Sequence, residues 1–97
     1  MKVREVDPRD ITWELDDPVF RVYFWKMYAR APEPATPDAW ECMEYEVSEA
    51  DVKEVIRWAD EYTDREGSDR YTFYLRVDDA DGPGMVRLFG ADPTEPR

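Results

Sequence analysis

Ninety-seven residues suffice for one domain and leave little room for a second core. Hydrophobic residues make up 42% and aromatics 14%, enough apolar matter to fold, and no window reaches the apolar length of a membrane span. Against 13 Lys and Arg stand 24 Asp and Glu; the net charge of −11 repels nucleic acid and anionic membranes at long range and favours cationic partners.

That acidity has a bland reading, solubility or adaptation to a salty cytoplasm, and a sharper one, an acidic binder or nucleic-acid mimic. Absences narrow the chemistry further. The chain has no His, Asn or Gln, so it holds no imidazole base, no His metal ligand and no Ser-His-Asp or Cys-His pair. Cys42 is alone, which excludes an intramolecular disulfide and a multi-cysteine zinc site within one chain and fits a reducing compartment. Ten arginines against three lysines, with no amides, indicate a GC-rich coding sequence.

In chain order, residues 1–10 are mostly charged and read as an arm, with "KVREV" able to add an edge strand. The arm lacks the apolar run of a signal peptide, so a cytoplasmic location is expected. "ITWEL" (11–15) alternates as a short strand before "DDP" breaks it. "VFRVYFWKMY" (19–28) is a strand with two apolar faces, Phe20, Val22 and Phe24 against Val19, Tyr23, Trp25 and Met27, the second interrupted by Arg21. "ARAPEPATPDA" (29–39) is a Pro-rich exposed connector. A strand is expected over 41–47, where Met43, Tyr45 and Val47 alternate with Glu44 and Glu46; Thr36-Pro37-Asp38 allows one helical turn before it.

"SEADVKEVIRWADEYTDREG" reads as one amphipathic helix. Ser48 and Asp51 form the expected capping box, Glu49 faces the helix dipole and pairs with Lys53, and Gly67 ends the helix. Val52, Val55, Ile56, Ala59 and Tyr62 form its apolar stripe, with Trp58 at the margin. "RYTFYLRV" (70–77) and "MVRLF" (85–89) make a hairpin around the turn cluster "DDADGPG", and "GADPTEPR" is a polar tail.

The expected architecture is α+β: an antiparallel sheet of four or five strands in the order strand–strand–helix–strand–strand, with the helix on one face. Residues 1–10 are the arm, 11–90 the single domain and 91–97 the tail. If Phe20, Val22 and Phe24 lie under the helix with Phe73, Leu75 and Val77, the opposite face presents Arg21, Tyr23, Trp25, Tyr74, Arg76 and Arg87. Arginine and aromatics together are what protein-binding surfaces enrich. The bland alternative is a face that is solvated, covered by a loop such as 29–39, or ion-paired to Glu44 and Glu46. Base stacking of nucleic acid on it is opposed by the net charge.

No catalytic constellation stands out. "DDADG" (78–82) has calcium-loop oxygens but lacks the closing glutamate, and Pro83-Gly84 breaks the register. The four glycines, at 67, 82, 84 and 90, do not make a phosphate loop. Cys42 reads as a small buried hydrophobe. No cofactor and no metal is expected.

The segments "FRVYFW" (20–25), "EYEVSEADVKEVIRWADE" (44–61), "YTFYLRV" (71–77) and "GMVRLFGADPTE" (84–95) resemble a family of small actinobacterial proteins of about this length. The resemblance covers most of the chain after residue 19. It implies no activity and no site residues, and the N-terminal "ITWELDD" departs from the pattern. The functional expectation is a small acidic cytosolic binding protein without enzymatic activity, an adaptor or an immunity-type inhibitor of a basic protein partner. The alternatives are a homodimeric structural domain, and a small-molecule binder or carboxylate-based enzyme.

Overall fold

The segment with two apolar faces forms β1 (Phe20–Ala29), and it owes that composition to an inner place in the sheet. The computed structural model describes residues 1–11, 16–29 and 38–95. Its other elements are a 3-10 turn at Pro8–Asp10, β2 (Ala39–Val47), α1 (Val52–Glu66), β3 (Arg70–Asp79) and β4 (Gly82–Phe89). The strands form one antiparallel sheet in the order β2-β1-β3-β4. The fold is therefore α+β, with four strands among the described residues, in the expected chain order. Because β2 and β3 both run antiparallel to β1, α1 carries the chain across β1 from one side to the other.

Register decides which residues share a face. Phe20, Val22 and Phe24 stand opposite Val47, Tyr45 and Met43 on β2, and opposite Leu75, Phe73 and Tyr71 on β3. This face meets α1 through Val55 and Ala59, which with Phe20, Val22, Phe24 and Phe73 form the buried core. Burying each large apolar side chain contributes about 1.5–3 kcal/mol. An aromatic cluster closes one flank: Tyr62 stacks on Phe24 at 3.9 Å, and Trp58 meets Phe24 and Tyr45 edge-on at 5.4 and 5.6 Å.

The helix begins later than its first acidic residues indicate. Asp51, not Ser48, is the N-cap: its carboxylate accepts from the Glu54 N–H at 2.8 Å, and Glu54 accepts from the Asp51 N–H at 3.2 Å. Glu49 has φ 56, a left-handed conformation that keeps it off the helix, so it neither serves the dipole nor makes a helical pair with Lys53. The buried stripe is also rotated toward Trp58, which is half-buried, while Val52 and Ile56 are exposed. Packing against β1 and β2 sets that rotation. Gly67, at φ 71, is the left-handed C-cap and donates to the Thr63 carbonyl.

Strand bounds shift modestly. β2 begins at Ala39 with no helical turn in 38–40, and β4 begins at Gly82, so the final hairpin is tighter than the "DDADGPG" cluster indicates. Residues 12–15, which carry most of the "ITWEL" strand, and residues 30–37 of the connector, with the Thr36-Pro37 helix start, lie outside the described residues. Met1–Val6 joins no strand and is exposed. No helix of the described residues is long and apolar enough to cross a membrane.

Candidate functional site

The face of the sheet opposite α1 collects the six residues expected to bind. β1 places Arg21, Tyr23 and Trp25 there and β3 places Tyr74 and Arg76; Tyr74 stands between Arg21 and Arg87 of the neighbouring strands. They do form one surface in register, but its centre is closed. Trp25 is 8% exposed, Tyr74 6% and Thr72 0%. The Trp25 indole donates to the Thr72 hydroxyl at 3.1 Å, and the Tyr23 and Tyr74 rings lie 5.1 Å apart.

The arginines around that centre are already engaged. Arg21 and Arg76 both meet Glu46, at 2.8 and 3.4 Å, and Arg76 also reaches Asp78 at 3.5 Å. Tyr23 first and Glu46 second hold the Arg21 guanidinium above its ordinary pKa. Arg87 pairs with Glu95 and lies over the Tyr74 ring at 6.0 Å. At the far end, Arg70 covers Trp40 at 5.1 Å.

The C-terminal segment supplies part of the cover. Gly90 (φ 87) sits so close to the Tyr71 carbonyl and Thr72 that a Cβ would collide with the backbone. From there the chain turns over the sheet: Asp92 comes near enough to Cys42 on β2 to act on its thiol, and Glu95 returns to Arg87. Asp92 makes this turn by accepting from the Thr94 N–H at 2.8 Å and the Thr94 hydroxyl at 2.6 Å. "DPTE" is a turn signature of that type and was the available sign that the tail folds back. Cys42 is half-buried, and burial, then Glu44, then Asp92 push its thiol up to about 11, far from a reactive thiolate.

A second surface lies at the end of β1 and β2. The terminal pair Phe20–Val47 brings the segment before β1 against the segment after β2, and the Arg76 N–H bonds the Val19 carbonyl at 2.9 Å. Between them opens a cleft of about 770 Å3 lined by Asp16, Asp17, Pro18, Val19 and residues 48–51 with Glu54. Among the described residues five carboxylates line it, those of Asp16, Asp17, Glu49, Asp51 and Glu54, and no Lys or Arg does. The acid-rich runs "DDP" and "SEAD" are each legible as turn and cap; only the register shows that they face one another.

No protein-family model, curated protein or solved structure matches this chain.

Proposed function

We propose that this protein is a small acidic binding protein, without enzymatic activity, that docks a basic protein partner as an adaptor or inhibitor. The observation that carries the reading is the cleft, where, among the described residues, five carboxylates line the walls with no cationic side chain beside them. A concave site of one charge sign focuses the field and speeds encounter with a cationic partner. Pro18, Val19 and Ala50 supply half-buried apolar surface for the contact that follows. Asp51 and Glu54 are committed to the helix cap, so Asp16, Asp17 and Glu49 are the groups assigned to the partner. The arginine–aromatic face supports binding less well, since Trp25 and Tyr74 are buried and their surrounding arginines are ion-paired.

A heteronuclear NMR titration with a Lys/Arg-rich peptide tests this. Shifts concentrated at 16–19 and 48–54, and an affinity that falls with added salt, are expected. Asp16→Asn, Asp17→Asn and Glu49→Gln together should weaken binding roughly tenfold, from three rim charges of about 0.5 kcal/mol each. Shifts spread evenly over the surface, or a triple variant that binds like wild type, would sink the assignment.

A further inference from the structure

The face of the sheet away from α1 is shut, although the helix packs on the other side. Trp25, Tyr74 and Thr72 are 8, 6 and 0% exposed there. The chain leaving β4 supplies a cover. A Cβ on Gly90 would stand 3.3 Å from the Thr72 methyl, so the segment begins directly on the side chain whose hydroxyl holds the Trp25 indole. β4 and β2 are opposite edges of the sheet, with β3 and β1 between them. Asp92 nonetheless acts on the Cys42 thiol of β2, whose register partner is Trp25. The segment thus reaches inward over Thr72 and Trp25 before Glu95 returns to Arg87 of β4.

What ties this cover to the strands is slight. Among the described residues its one ion pair to the sheet is Glu95 with Arg87, whose side chains are 50 and 36% exposed, and exposed pairs contribute little. Its hydrogen bonds otherwise close on Asp92, from Thr94 and from the Glu95 N–H at 3.2 Å, so they shape the turn without anchoring it. Charge opposes closure as well. Glu44 lies two residues from Cys42 on the same side of β2, and Asp92 approaches the same thiol. Two carboxylates therefore draw together in a chain of net charge −11. Gly90, at φ 87, forms the joint, in a conformation that glycine adopts without strain.

We propose that residues 91–95 are a hinged strap, pivoting at Gly90, that opens without unfolding the sheet and controls access to its second face. Closed, the strap shields the Trp25–Thr72 pair from water. Open, it bares the Trp25 and Tyr74 side chains and frees Arg87 from Glu95. Opening exposes a few side chains where global unfolding exposes the whole core, so it takes less free energy. Exposure of the arginine–aromatic face is thus set by the chain's own acidic segment. The acidic cleft lies toward the other end of β1, between 16–19 and 48–54, so the two assignments stand or fall separately.

Hydrogen exchange of the Trp25 indole N–H, followed by NMR on the full chain, is the direct test, with the Val22 amide of β1 as reference. Relative to intrinsic rates, the indole should exchange at least about tenfold faster than Val22, with a weaker urea dependence, as local opening requires. Glu95→Gln should speed the indole roughly twofold to fivefold, the range of an exposed ion pair, and leave the Trp58 indole of α1 unchanged. Glu44→Gln, which removes the charge facing Asp92 and leaves the strap intact, should slow it. Gly90→Ala, whose Cβ collides with the Tyr71 carbonyl, should lift the strap and speed the indole at least about tenfold. If Gly90→Ala fails to fold, the opposite responses to Glu95→Gln and Glu44→Gln decide. An indole that exchanges no faster than Val22, with the same urea dependence, overturns the proposal. So does an indole indifferent to Glu95→Gln, one that Glu44→Gln speeds, or one still protected in a folded Gly90→Ala.

Discussion

Trp25 and Thr72 answer each other's polar need inside the face that α1 leaves open. The indole has one donor and the Thr72 hydroxyl is its acceptor at 3.1 Å, with Thr72 fully buried. Replacing Thr72 by Val keeps the shape and removes the acceptor, so the indole N–H is left buried without a partner. Leaving such a donor unpaired costs about 1–3 kcal/mol. The Thr72→Val urea midpoint should fall accordingly with m unchanged, whereas Thr72→Ser, which retains the oxygen, should fall less. A Val variant as stable as wild type would show that the bond contributes nothing. Residue type alone does not announce this pair: the sequence offers Trp25 as one aromatic of a candidate partner-binding face and does not single out Thr72. Each is a core residue of the second face.

At the scale of elements, the start of α1 separates two readings of one acidic run. "SEAD" offers Ser48 and Asp51 as caps, and the geometry uses Asp51 with Glu54. Asp51→Ala should therefore cost about 1 kcal/mol, while Ser48→Ala, outside the helix, should stay within about 0.5 kcal/mol of wild type. Thermal or urea unfolding of both distinguishes them, and the reverse order would return the cap to Ser48. Much of the architecture was legible because period-2 and period-3.6 patterns are carried locally. The alternation in 19–28 and 70–77 sorts Phe20, Val22 and Phe24 with Phe73 and Leu75, and the register confirms that they share a face. The helix phase was less legible, since Val52 and Trp58 both fit an apolar stripe and only the position of β2 decides between them. The acidic cleft and the returning C-terminal segment were illegible for another reason. Both depend on which chain ends meet in space, and pairing between residues as distant as Phe20 and Val47 leaves no mark on local periodicity.

For the molecule as a whole, three groups that titrate above neutrality, Cys42, Tyr62 and Tyr71, point one way. The Tyr45 hydroxyl and then burial push the Tyr62 phenol up to about 12, and burial followed by Asp60 pushes Tyr71 to about 12. The Cys42 thiol is pushed to about 11. Each group is neutral when protonated, so the folded state holds protons that the unfolded chain releases at its ordinary values, 9.0 for the thiol and 10.0 for the phenols. Between ordinary and raised values the unfolded state binds fewer protons, so stability must fall as pH rises. The contribution is complete below pH 9.0 and is lost on passing through the raised values, about 11 for the thiol and about 12 for the phenols. Every proton lost also adds negative charge to a chain already at −11, so self-repulsion works in the same direction and salt should soften it. Urea midpoints measured from pH 7 to 12 should therefore hold level at first, decline beyond pH 9.0 and drop most steeply above 10.0. Cys42→Ser should remove the earliest part of the decline, and Tyr62→Phe with Tyr71→Phe should flatten the steepest part, whatever each substitution does to stability at neutral pH. A double Phe variant that keeps the wild-type slope above pH 10.0 would assign the alkaline loss to general charge repulsion instead.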